Sequence, residues 1–182
     1  MAQNGELTTG RDLLPVQREK RVADAVAAFL PAYDRIRDGV MERRAADMRE
    51  GLAALRAIDL DGLERLLADL PRAGATEIAA AVGRLIAVTK HLDKTDGEIF
   101  QATLVQFIAD EQPTRIGLGI AMRRVLLSAR FTPSIAEVIE AVRSAESDLR
   151  SAKQRLEWLP DHAKAAEAFT TAQNAASRGD TP

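Results

Sequence analysis

The chain contains no cysteine, which excludes disulfides and thiolate metal sites. Its two histidines, His91 and His162, lie far apart and in no HExxH or other ligand pattern. Only 4% of the residues are aromatic, too few to interleave with cations as a stacking platform for single-stranded nucleic acid. No apolar run approaches the roughly 18 residues of a membrane span, and the opening "MAQNGELTTGRD" has no apolar signal-peptide region. The expectation is a cytoplasmic protein without membrane contact. No GxxxxGK[ST] loop is present to cradle ATP phosphates. "GLG" at 117–119 lacks the third glycine and the preceding strand of a dinucleotide motif. "DKTDGE" at 93–98 lacks the acidic alternation of a calcium loop and reads as a helix cap followed by a turn. Ser128, Ser134, Ser144, Ser147, Ser151 and Ser177 lie in no nucleophile elbow. These absences lead to an expectation of no catalytic residue, no cofactor, no metal and no enzymatic activity.

What the chain does have is alanine and leucine within an apolar fraction of 46%, a composition that favours helix over strand. Its 182 residues suit one domain with appendages or two very small ones, long enough to bury a core. No segment sustains strand alternation. The fold class expected is all-α, a small helical bundle with long heptad-patterned helices at both ends, six or seven helices in all. Residues 1–15 read as a flexible lead. Residues 16–58 form one long amphipathic segment with apolar Val22, Val26, Phe29, Tyr33, Ile36 and Val40. Its stripe then slips by one residue to Met41, Ala45, Met48, Leu52 and Leu55. Pro31 inside it predicts a kink, or two helices meeting near residue 30. Residues 59–141 read as the bundle core, with Asp59 or Asp61 and then Thr76 as helix caps.

The stretch "RFTPSIAEV", 130–138, is an emphatic helix start. Thr132 suits the N-cap, Pro133 the first helical position, and Ser134 with Glu137 can satisfy further free amides. The helix that follows, 133–159, carries apolar residues at 135, 138, 142, 145, 149, 152, 156 and 159. Steps of three and four persist along one seam. Such a seam packs in an intramolecular hairpin, in a homo-oligomer, or as one long helix over the bundle. It is expected to end near Trp158 and Pro160, leaving 160–182 mostly disordered.

One charge feature is local. Between Pro113 and Phe131 stand four arginines, Arg115, Arg123, Arg124 and Arg130, and no acid. They can meet phosphates or an acidic partner surface, or solvate a face balanced in three dimensions by neighbouring acids. The chain is acidic overall, with net charge −2, and poor in aromatics, so a protein partner is favoured over nucleic acid.

The segment 85–141 resembles the phage loader-and-inhibitor family of the replicative helicase and the helical domain of replisome organisers. The resemblance lies in the order of an apolar helix, a loop, "EIFQATLVQFIADE", a helix ending "LLSARF", and "TPSIAEVIEAV". It closes on an aromatic-x-P-[ST]-[IL]-A-E-[IV] motif matched by Phe131, Pro133, Ser134, Ile135, Ala136, Glu137 and Val138. The resemblance implies a helical domain without an ATPase motif, and a phage or prophage adaptor that delivers a replicative helicase to origin DNA. Within the motif, Phe131 and Thr132 to Glu137 take structural roles, setting the start of the helix. A small oligomeric packaging or scaffolding protein, held by its heptad seams, is the competing expectation.

Overall fold

The computed structural model describes residues 15–88, 94–128 and 132–177. Arg130 and Phe131 of the motif, His91, and residues 1–14 lie outside the described residues. Seven helices are formed: α1 (Pro15–Glu42), α2 (Ala45–Arg56), α3 (Leu60–Ala68), α4 (Ala75–Val88), α5 (Lys94–Asp110), α6 (Arg115–Ser128) and α7 (Ile135–Ser177). No strand occurs among the described residues, which carry a single antiparallel bridge, Arg72 with Thr114. The all-α expectation holds.

The long N-terminal segment is two helices, and the break is not at Pro31. Pro31 and the residue four before it, Ala27, are both exposed, so the carbonyl that loses its donor faces water and α1 runs through. The break falls at the slip in the apolar stripe. Arg43 takes a left-handed φ of 56°, and the Arg44 amide bonds the Gly39 carbonyl at 2.8 Å, a Schellman-type closure. The chain turns back, and α2 packs on α1 closely enough that a Cβ on Gly51 would lie 2.6 Å from Ile36 Cγ1. Met41, at the slip, is left outside, 77% exposed.

The start of α7 differs from the expected one by two residues. Ser134, not Thr132, is the N-cap: its carbonyl accepts the first helical bond from Val138, at 3.2 Å. Its hydroxyl accepts from the Glu137 amide at 3.2 Å, while Glu137 Oε2 accepts from the Ser134 amide at 2.7 Å. This is a reciprocal capping box. Pro133 therefore precedes the cap instead of opening the helix, and it is buried together with Val138 five residues on, the two positions of a hydrophobic staple. The hydrogen bonds to Ser134 hold the Glu137 carboxyl below the usual carboxylate range.

The seam of α7 is an internal one. Val138, Val142, Ala145, Leu149 and Ala152 are at most 1% exposed. Five of the other six helices, α1, α2, α3, α5 and α6, pack against α7. Neither Pro160 nor the polar composition beyond it ends the helix, which is the largest departure from the expected tail. Pro160 is on the exposed side, where it costs α7 one hydrogen bond but no packing. His162 then fastens the second half to α1. Its Nδ1 lies 3.3 Å from the Tyr33 hydroxyl and 3.0 Å from the Trp158 carbonyl, and its ring meets Tyr33 edge-on at 5.4 Å. Arg155 stacks 5.5 Å over the Tyr33 ring and pairs with Asp34 at 2.8 Å. Burial raises the Tyr33 phenol above its ordinary range. Ala166 is fully buried and Phe169 packs on the core, so this segment is anchored to the bundle by few side chains while Ala165, Ala168 and Ala172 face outward. Cutting the chain after Ala163 should lower the melting temperature by several degrees, and Ala166→Asp should cost about 2 kcal/mol or more through an unpaired buried charge. Thermal and urea unfolding of the two variants measure both.

Candidate functional site

Helix α6 carries three of the four arginines, and its setting decides what they can do. The loops at 69–74 and 111–114 are tied together where α4 and α6 begin. Besides the Arg72–Thr114 bridge, the Ala73 amide bonds the Pro113 carbonyl at 2.8 Å and the Arg115 amide bonds the Pro71 carbonyl at 2.8 Å. Arg72 donates to the Gln112 carbonyl. Gln112, at a φ of 49°, turns the chain between α5 and α6. Thr114 caps α6, its hydroxyl oxygen accepting from the Gly117 amide at 2.9 Å. Glu146 of α7 closes this junction. Its Oε1 accepts from the Thr114 amide and from the Thr114 hydroxyl, each at 2.8 Å, with the side chain 15% exposed. A carboxylate there also meets the positive end of the α6 dipole. A Cβ at Gly117 would lie 1.9 Å from Glu146 Oε1 and 2.9 Å from Thr114 Oγ1, so a larger residue there displaces the Glu146 carboxyl.

A cleft of about 330 Å³ opens beside this junction, lined by Arg72, Glu111, Arg143, Glu146, Ser147 and Arg150 among others. Its charges largely answer one another. Arg143 grips Glu111 at 2.6 Å and holds that carboxyl below the usual range. Arg72 stands 3.8 Å from Glu146. A second cleft, about 450 Å³ between α2 and the end of α7, is lined by Arg49, Leu52, Arg56, Glu167, Thr170 and Thr171. Thr170 donates to carbonyls of its own helix, and so does Arg49. Among the described residues no group of three or more metal-ligating side chains occurs.

The structure does not gather the three described arginines, Arg115, Arg123 and Arg124, into one patch. Arg115 and Arg124 are nine residues apart and leave α6 on roughly opposite sides. Arg115 pairs with Glu77 of α4 at 2.9 Å, and Arg124 with Asp148 of α7 at 2.8 Å, reaching Ser144 Oγ at 3.3 Å. Both are half-solvated struts between helices, worth at most about 1 kcal/mol each. Arg123 is different: half-buried, it makes no hydrogen bond or ion pair with another described residue. One turn before it, the Glu19 carboxyl of α1 lies on Gly119, 2.1–2.5 Å from where a Cβ would stand. Burial pushes the Glu19 carboxyl above its usual range, and nearby Arg84 pulls it partly back.

The last turns of α4 and α6 carry exposed apolar side chains. The two helices start side by side at the junction and pack together, and each has 14 residues, about 20 Å of helix. Val88 ends one and Leu126 and Leu127 end the other, exposed by 65%, 37% and 76%. Helix α5 packs on α4 and on part of α7 and leaves Ile99 and Phe107 63% and 50% exposed. The sequence signal for the exposed apolar side chains of α5 is that it has no charged residue from Ile99 to Ala109, so none of its sides carries the charge of an ordinary solvent-facing stripe. Comparison with protein-family models, with curated proteins and with solved structures gave no match.

Two variants test this geometry. Gly117→Ala should destabilise by about 2 kcal/mol, because the Glu146 carboxyl must leave Thr114 and strand a buried cap; urea unfolding measures it. Glu19→Gln should stabilise the protein at neutral pH and not at pH 4. A raised carboxyl pKa favours the folded state only while the group is protonated, so the cost of the charge grows as pH rises through the ordinary carboxylate range. Denaturant midpoints at the two pH values decide it.

Proposed function

We propose that this protein is a non-enzymatic adaptor of phage or prophage DNA replication. It binds a replicative helicase and assists its loading at origin DNA, in the cytoplasm of the host. One observation supports the reading more than any other. The portion of the chain that carries the resemblance, 85–141, also holds Val88, Ile99, Phe107, Leu126 and Leu127, five of the seven large apolar side chains exposed among the described residues. Three of them, Val88, Leu126 and Leu127, stand in the last turns of α4 and α6, and the two leucines lie one helical turn from unpaired Arg123. Apolar side chains around one half-buried cation suit a partner segment that is apolar with an acidic residue.

A protein is the better partner than nucleic acid. Arg115 and Arg124 already hold acids of their own chain, so binding phosphates through α6 would require breaking those pairs, leaving Arg123 as the one unpaired arginine of that helix to release counterions. Assembly through the heptad seam is disfavoured because that seam faces the protein's own core.

The experiment is a titration of the full chain against the host's replicative helicase, with Leu127→Glu and Arg123→Glu as variants. Each should weaken binding at least tenfold while changing stability by no more than about 0.5 kcal/mol. No helicase binding by the native chain, or binding untouched by both variants, overturns the reading. Salt-sensitive DNA binding by the isolated protein would overturn the preference for a protein partner.

A further inference from the structure

Over residues 17–21, helix α1 turns one side chain toward the bundle. Gln17, Arg18, Lys20 and Arg21 are exposed, and only Glu19 is half-buried. The firm anchoring of α1 begins with Val22 and Val26, both buried. The Glu19 carboxyl lies on Gly119 of α6, in the space that a side chain there would fill. It makes no hydrogen bond or ion pair with another described residue. Burial therefore works against its charge and raises its pKa. A half-buried carboxylate without a donor is a poor occupant of this place.

Two guanidinium groups stand beside that carboxyl without holding it. Arg123 follows Gly119 by one turn on the same side of α6. Arg84 of α4 is near enough to pull the Glu19 carboxyl partly back toward its usual range. Neither arginine forms an ion pair with Glu19 or with any other described residue. Elsewhere the arginines that face a neighbouring helix are taken: Arg115 by Glu77, Arg124 by Asp148, Arg143 by Glu111 and Arg155 by Asp34. Arg84 and Arg123 are free to receive an acid from outside the chain.

The apolar side chains beside them say what kind of molecule brings that acid. Val88 lies one turn beyond Arg84 on α4, and Leu127 one turn beyond Arg123 on α6, exposed by 65% and 76%. The two helices pack together, and on each the order is cation, then exposed apolar residue. A phosphate backbone answers the cations and leaves Val88 and Leu127 uncovered. A protein segment carrying acids with apolar residues about one turn away answers both.

We propose that Arg84 and Arg123 receive the carboxylates of an acidic, amphipathic segment of a partner protein, which takes the place of the Glu19 carboxyl while its apolar side chains cover Val88 and Leu127. Glu19 is the chain's own competing acid: it keeps the two arginines partly neutralised until the partner displaces it, and on displacement it returns to water. The inference rests on the helicase reading for the identity of the partner. It adds Arg84 as a contact and Glu19 as a regulator of that surface.

The test is a titration of the full chain and three variants against the host's replicative helicase. Arg84→Gln should weaken binding about fivefold with an unchanged melting temperature, since the side chain is exposed and unpaired. Glu19→Ala should tighten binding about threefold, because it removes the competing acid and leaves both arginines in place. Arg21→Gln makes the same change of charge two residues along α1, about 200° round the helix from Glu19, and should alter binding by less than about twofold. Binding unchanged in Arg84→Gln, unchanged or weakened in Glu19→Ala, or weakened equally by Arg84→Gln and Arg21→Gln overturns the proposal. Duplex DNA binding by the isolated protein that Arg84→Gln abolishes makes the partner a nucleic acid and also overturns it. If Leu127→Glu weakens helicase binding while Arg84→Gln and Glu19→Ala do not change it, the helicase reading stands and this inference falls alone. No helicase binding by the native chain removes both.

Discussion

The buried seam of α7 is the constraint on which the other elements depend. A single helix of 43 residues, about 65 Å long, passes through both ends of the molecule. Its first half faces α6, and its second half faces α1 and α2. Because Ala145 and Ala152 alternate with Val142 and Leu149 along the seam, neighbouring helices approach closely at some levels and are held off at others. The register of α7 is fixed at two places by polar contacts with other elements: the Glu146 clasp on Thr114 and the His162–Tyr33 contact. Apolar packing supplies most of the stability, while these contacts select one sliding position of α7 among several of similar packing.

That arrangement explains why the arginines of α6 do not form a surface. Helix α6 lies between α4, α1 and α7, so a side chain leaving it on either side meets an acid of a neighbour. Arg115 finds Glu77 and Arg124 finds Asp148. A run without acids in sequence became a balanced interface in space. The same crowding leaves Arg123 beside the exposed leucines and sets Glu19 on Gly119, where desolvation is its main influence.

The apolar surface has a different origin. Helix α5 is held by one strong neighbour, α4, and by part of α7, leaving its other side open. Charged residues would have covered that side at little cost. Their absence between Ile99 and Ala109 is therefore informative, and it separates two surfaces: the end of the bundle, with its cation, and the flank of α5, without any. The first suits a partner with charge of its own.

Much of the fold was legible because helices announce themselves locally. The alanine-leucine composition, the three-and-four spacing, and caps such as Asp59, which accepts from the Gly62 amide at 2.8 Å, depend on residues within a few positions of one another. The slip from Val40 to Met41 marked where α1 and α2 part, although Pro31 drew the break to the wrong place. Whether a proline breaks a helix depends on whether its freed carbonyl can reach water, which is a property of burial. The persistence of α7 beyond Pro160 was decided by Tyr33, more than a hundred residues away. The pairing of the arginines was decided by Glu77 and Asp148, on other helices. Sequence by itself determined the helices and the inward stripe of most of them. Only the packing of one helix against another decided which charges were neutralised and which apolar side chains were left without a neighbour, because both depend on residues that no local pattern brings together.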